Sequence, residues 1–251
     1  MIILRIFVNG LIMAGELIAV AGIAAFAFHS PFLFAAVTAG LSFLLGLRLE
    51  VARLRYELPF YFGGLIKRGT FITALIGASE ATFKGVVAGI SALFTFAGTN
   101  MDRLYWVAIL FGVCVYIGAS VLRLLSIRAE ALPMRWGYFR LAPALGLLFS
   151  AGLALLAAAH LLPAVSVADI GWEIIFKVPT HPSVEQVSEL IFQIKQAFDD
   201  FIVTVLSVVL GEELARLIGI VVSVNVLSGF VSALYAALIS AGVRKAEDAL
   251  L

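Results

Sequence analysis

Between Ile6 and Val243 the sequence returns repeatedly to apolar runs of membrane-spanning length, with most of its charge pushed into the stretches between them. A hydrocarbon core about 30 Å thick takes about 20 residues of helix, and the backbone inside it must satisfy its own hydrogen bonds. Composition points the same way: 63% of the 251 residues are hydrophobic and 13% charged, with a mean hydropathy of +1.10. A soluble domain carries about 25% charged residues, so this chain lacks the polar surface to face water all round. The expected fold class is all-α: a polytopic integral membrane helical bundle of about six crossings plus an amphipathic interfacial helix, in one domain over 1–251.

The expected spans are 6–28, 32–47, 70–97, 104–122 and 141–162, followed by 201–243 as a helical pair divided near Ser223-Val224-Asn225. Arg5, the apolar run after it and Ala25-Phe26-Ala27 have the outline of a signal peptide. Asn9-Gly10 and Glu16 interrupt its core, so it reads as a retained first span. Arg53 and Glu57, four apart, suit a helix that continues into water until Pro59 breaks it. The segment 164–200 reads as extramembrane or interfacial. Within it Ser183 and Gln186 have capping-box spacing, and Val184, Val187, Ile191, Ile194 and Phe198 form an apolar stripe. The ordinary expectation is that this stripe packs on the bundle.

Charge asymmetry orients the chain. With a cytoplasmic N-terminus, the inner side holds Arg5, Arg48, Arg53, Arg55, Lys67, Arg68, Arg123, Arg128, Arg135 and Arg140. The outer side holds Arg103, Lys177 and Lys195, which is the bias that short cytoplasmic loops show. A bacterial cytoplasmic (inner) membrane is the expected location.

Ionisable residues at membrane depth cost about 2.5–3.5 kcal/mol each on insertion scales and need a reason. Here they are Glu16, Glu80, Lys84, Glu212, Glu213 and Arg216. Glu80 precedes Lys84 by four, and Glu212 precedes Arg216 by four, so each pair can neutralise itself on one helix. Glu16 has no such neighbour and must face another helix, another subunit or water. Gly85 and Gly89 form a G-x-x-x-G, and Gly15 and Gly22 line the first span with Ala19, as close helix packing in lipid requires.

Chemical motifs are missing. No G-x-S-x-G, Walker loop or H-E-x-x-H occurs, and His29, His160 and His181 are widely separated. Cys114 stands alone in an apolar run, and Asp199-Asp200 reads as a solvated helix junction. No catalytic residue, metal, cofactor or nucleic-acid partner is expected. Asn225-Val-Leu-Ser-Gly-Phe230, the apolar run after it and Arg244-Lys245 loosely resemble the C-terminal hydrophobic helix of the minor coat proteins that cap filamentous phages. The likeness spans about twenty residues and implies a membrane-stored virion component. The preferred expectation is a non-enzymatic subunit of a larger membrane complex, whose partners are the lipid bilayer and other subunits or further copies of itself. The alternative is an ion- or proton-coupled channel or transporter using the intramembrane carboxylates.

Overall fold

The apolar runs are helices, and among the described residues all regular structure is helical. The computed structural model describes residues 2–61, 71–130, 132–134, 140–162, 183–212, 214–215, 218–219 and 223–250. Helix α1 is Ile2–His29, α2 Pro31–Tyr61, α3 Phe71–Phe96, α4 Met101–Ala129, α5 Ala142–Ala158, α6 Val184–Leu210 and α7 Ser228–Leu250, the last preceded by a one-turn 3₁₀ helix over Val224–Leu227. Among the described residues four stretches are long and apolar enough to cross a membrane: Phe7–His29, Pro31–Leu54, Met101–Ala129 and Val224–Ala249.

Local chemistry sets most of the helix ends. Ser30 alone separates α1 from α2, and Pro31 opens α2, where its missing N–H costs nothing. Pro59 does not end α2, contrary to expectation. The helix runs on to Tyr61, since a proline lacks only the one bond from its own nitrogen to the carbonyl four residues back and the residues after it can still donate. Asn100 caps α4 by accepting from the Arg103 N–H at 3.0 Å, with Asp102 beside it in the positive first turn.

Ser183 and Gln186 form the capping box at the start of α6. Ser183 N–H donates to Gln186 Oε1 at 2.9 Å, and Gln186 N–H donates to Ser183 Oγ at 3.2 Å. The helix does not stop at residue 200 but continues through Asp199-Asp200 to Leu210. Ser183→Ala removes one of the two reciprocal bonds, a loss of about 1 kcal/mol. Amide exchange in the first turn of α6 is expected to speed up about fivefold, and unchanged exchange there would show that docking, not the cap, holds this end.

Helix α7 is the axis of the bundle. Val231, Ala233, Leu234, Tyr235, Ala236 and Ala237 are all buried, against α4 and α5 chiefly and α3 and α1 beyond them. Around Tyr235 five helices share one aromatic node. Phe34 of α2 stacks on Tyr235 at 5.3 Å and meets Phe26 of α1, Phe96 of α3 and Phe111 of α4 edge-on at 5.4 to 5.8 Å. The Tyr235 hydroxyl bonds Thr38 Oγ1 at 2.9 Å, and Thr38 donates to the Phe34 carbonyl at 2.7 Å. Lipid gives helices no hydrophobic reason to associate, so such ring pairs, at about 0.5–1.5 kcal/mol each, matter here.

Small residues set the helix spacing, though not all of the expected ones. A Cβ at Gly85 would stand 3.1 Å from the Ala39 carbonyl oxygen, and one at Gly89 would stand 3.0 Å from Ala39 Cβ, so this motif joins α3 to α2. Among the described residues no other element comes within 4 Å of the equivalent point at Gly15 or Gly22. Their stripe faces away from the described helices. The closest approach lies elsewhere, between α5 and α7. A Cβ at Gly229 would fall 1.9 Å from the Ala142 carbonyl oxygen, and one at Gly146 would fall 2.0 Å from that of Val226.

Candidate functional site

The membrane-depth charges gather into clusters that join helices. In the first, Glu50 of α2 is buried and receives the Lys84 ammonium of α3. Arg53 Nη1 lies 2.9 Å from Glu50 Oε2, an ion contact without hydrogen-bond geometry. The same guanidinium donates to Glu57 Oε2 at 3.0 Å and to Glu80 Oε2 at 3.1 Å. The Arg53–Glu57 spacing therefore does form a pair. Glu80 and Lys84 instead take ion-pair partners from α2, where one helix alone was expected to satisfy them. The reason is the α2–α3 register: Gly85 against Ala39 and Phe43 brings the two helices close enough for their charges to cross. Glu50 was missed because its surroundings in sequence look solvated.

The second cluster answers the question of Glu16. This buried carboxylate faces Arg123 of α4, with Nη1 4.0 Å from Oε2. Arg123 also bonds Glu247 of α7 through Nη2, and its buried Nε has no hydrogen-bond partner among the described residues. Arg244 of α7 donates to Ser126 Oγ at 2.9 Å, a second tie between the same two helices. At 4.0 Å the Glu16 contact is electrostatic, not a hydrogen bond. Arg123 thus links three helices. Glu212 is exposed beyond the end of α6, while Glu213 and Arg216, and so the pair expected there, lie outside the described residues.

A different arrangement occupies the α3–α4 turn, where α6 docks. Ser188 Oγ accepts from the Gly98 N–H at 3.0 Å and donates to its carbonyl at 3.2 Å, and Thr99 donates to Glu189 Oε2 at 3.0 Å. Arg103 donates from Nη1 to the Ala97 carbonyl at 2.8 Å, and its guanidinium carbon sits 3.9 Å from the Phe192 ring centroid. The apolar stripe is covered in part: Val187, Ile191 and Ile194 are half-buried. The buried residues of α6 are Ser188 and Lys195, whereas Val184 is 68% and Phe198 51% exposed. On the other side of the helix Glu185 and Gln186 are exposed as well, so the contact is made along one edge of the stripe, by Ser188 and Lys195.

Lys195 is 4% exposed and Arg103 8%. Both line a cavity of about 360 Å³ among α4, α5, α6 and the 3₁₀ turn. Among the described residues the Lys195 ammonium has no hydrogen bond or ion pair. Burial first, then the adjacent Arg103 charge, pushes it down to about 7, with Asp199 pulling the other way. Asp199 is itself engaged, accepting from the Val224 N–H at 2.7 Å. Neither cation stood out in the sequence. Lys195 reads there as part of the polar side of an amphipathic helix, and only the docking of α6 on the bundle buries it.

No family model, characterised protein or solved structure matches the chain.

Proposed function

We propose that the chain is a non-enzymatic subunit of a larger membrane assembly. In this reading it lies in a bacterial inner membrane with about six crossings, its N-terminus and basic loops cytoplasmic and α6 on the outer surface. The observation that carries the proposal is the open side of α1. Among the described residues no other element comes within 4 Å of the Cβ position of Gly15 or Gly22, and Leu11 and Ile18 on the same face are exposed. A small-residue stripe in lipid lets a second helix approach closely, where dispersion and backbone contacts provide the attraction.

The charge clusters support the same reading. Glu16 and Glu80 have cationic partners within the chain. An ion path through Glu16, Glu80 and Glu212 needs water shared among them, and none of these carboxylates lines the cavities of about 580, 470 and 360 Å³ among the described residues.

Extraction in mild detergent or native nanodiscs, followed by mass measurement, tests the proposal. A species heavier than one 26.8 kDa chain is expected. The double variant Gly15→Leu/Gly22→Leu is expected to fall to the single-chain mass with its unfolding temperature unchanged. A wild-type protein that is monomeric under all these conditions, with no co-purifying partner, overturns it.

A further inference from the structure

We propose that the cavity lined by Arg103, Lys195, Ser150 and Asn225 binds an oxyanion head group, phosphate or carboxylate, that carries an apolar chain. The charge balance of the cavity is the starting point. Its described lining holds two cations, Arg103 and Lys195, and one carboxylate, Asp199, whose Oδ1 already caps the 3₁₀ turn. An ammonium offers three donors, and leaving one buried without an acceptor is costly. Placing it beside a second cation adds repulsion. A single oxyanion seated between them removes both penalties and brings the lining close to neutrality.

Shape and polarity narrow the ligand. At about 360 Å³, and with about 30 Å³ for each water-sized group, the space suits a head group of roughly ten heavy atoms. Leu153, Ala154 and Val203 form an apolar wall beside the polar groups. Among the described residues Asn225 Oδ1 is buried without a hydrogen-bond partner, so it can accept from a ligand hydroxyl after a small side-chain rotation. Phe198, Phe201 and Val205 add exposed apolar surface on the helix that carries Lys195. A polar head between cations with its chain along an apolar wall is the order in which an anionic lipid presents itself at the edge of a bilayer.

The titration of Lys195 gives the site a pH signature. The groups that bear on it are Arg103 from α4 and Asp199 from its own helix, with Glu189 acting on Arg103. With the empty-site ammonium near 7, an anion that favours its charged form binds best below that pH. Affinity weakens as pH rises through it, by about tenfold or more between 6.5 and 8.5.

The test uses the whole protein in a neutral detergent. Phosphatidylglycerol, phosphatidylcholine and inorganic phosphate are added separately, and bound lipid is read by native mass spectrometry with the shift in unfolding temperature alongside. Retention of phosphatidylglycerol over phosphatidylcholine is expected, weakened at least tenfold in Lys195→Met. In Lys195→Arg, whose charge does not titrate in this range, binding is expected to persist at pH 8.5. If inorganic phosphate gives a Lys195-dependent shift and the lipid does not, the oxyanion site stands and its source is a free solute. Failure of both phosphatidylglycerol and phosphate to bind the wild type, or equal binding by Lys195→Met, overturns the proposal. Neither result bears on whether the protein assembles through α1.

Discussion

Gly229→Ala is expected to cost about 3 kcal/mol or more and to leave little correctly folded protein. A glycine within a helix normally gains up to about 1 kcal/mol when replaced by alanine, through backbone entropy. Here the added methyl would stand 1.9 Å from the Ala142 carbonyl oxygen and 2.4 Å from the Gly146 nitrogen. Both atoms belong to helix backbone, so α5 and α7 must separate, and overpacking of this kind costs about 1–3 kcal/mol even when side chains can yield. Gly146→Ala, with Val226 oxygen 2.0 Å from its methyl, should behave the same way. Gly15→Ala supplies the contrast, since nothing of the chain lies near it, and it is expected to be neutral or slightly stabilising. Unfolding temperatures of the three variants decide the matter, and a Gly229→Ala protein as stable as wild type would falsify the α5–α7 crossing described above.

Arg123→Gln is expected to destabilise the bundle by about 3 kcal/mol, the lower part of the range for breaking a buried ion pair, because Arg123 and Glu247 keep some exposure. The loss leaves Glu16 buried opposite an amide and Glu247 without its partner. Glu16→Gln removes a charge whose closest contact is 4.0 Å long, so it should cost less. The double variant Glu16→Gln/Arg123→Gln is expected to recover part of what Arg123→Gln loses. Denaturation of all four proteins in detergent gives the coupling, and strictly additive effects would mean that the two groups do not sense one another.

Features settled within one helical turn were legible in the sequence. The Ser183–Gln186 capping box and the Arg53–Glu57 pair need only neighbours three and four residues away. Contacts settled by register between helices were not. Glu80 and Lys84 look complete on α3, and Glu50 enters only when α2 is laid beside them. Glycines posed the same difficulty: Gly85 and Gly89 announce themselves by spacing, while Gly146 and Gly229 lie in different helices and form no motif at all. The burial of Lys195 was hidden for a similar reason. The stripe of α6 is evident, but which residues beside it are covered depends on the edge that docks on the α3–α4 turn. Lys195 follows that choice, and so the cavity it lines was invisible beforehand.

The wide sequence separation of the Glu16 cluster has a consequence for how the protein is made. Glu16 enters the membrane with the first helix, its cation Arg123 follows four helices into the chain, and Glu247 arrives only with α7. During synthesis the first helix therefore carries an uncompensated carboxylate, at about 2.5–3.5 kcal/mol if it stays charged at depth. The axis that the other helices surround is also the latest of the described elements to be made. Among the described helices, α1 and α4 can complete this ion cluster only once α7 has been added to them.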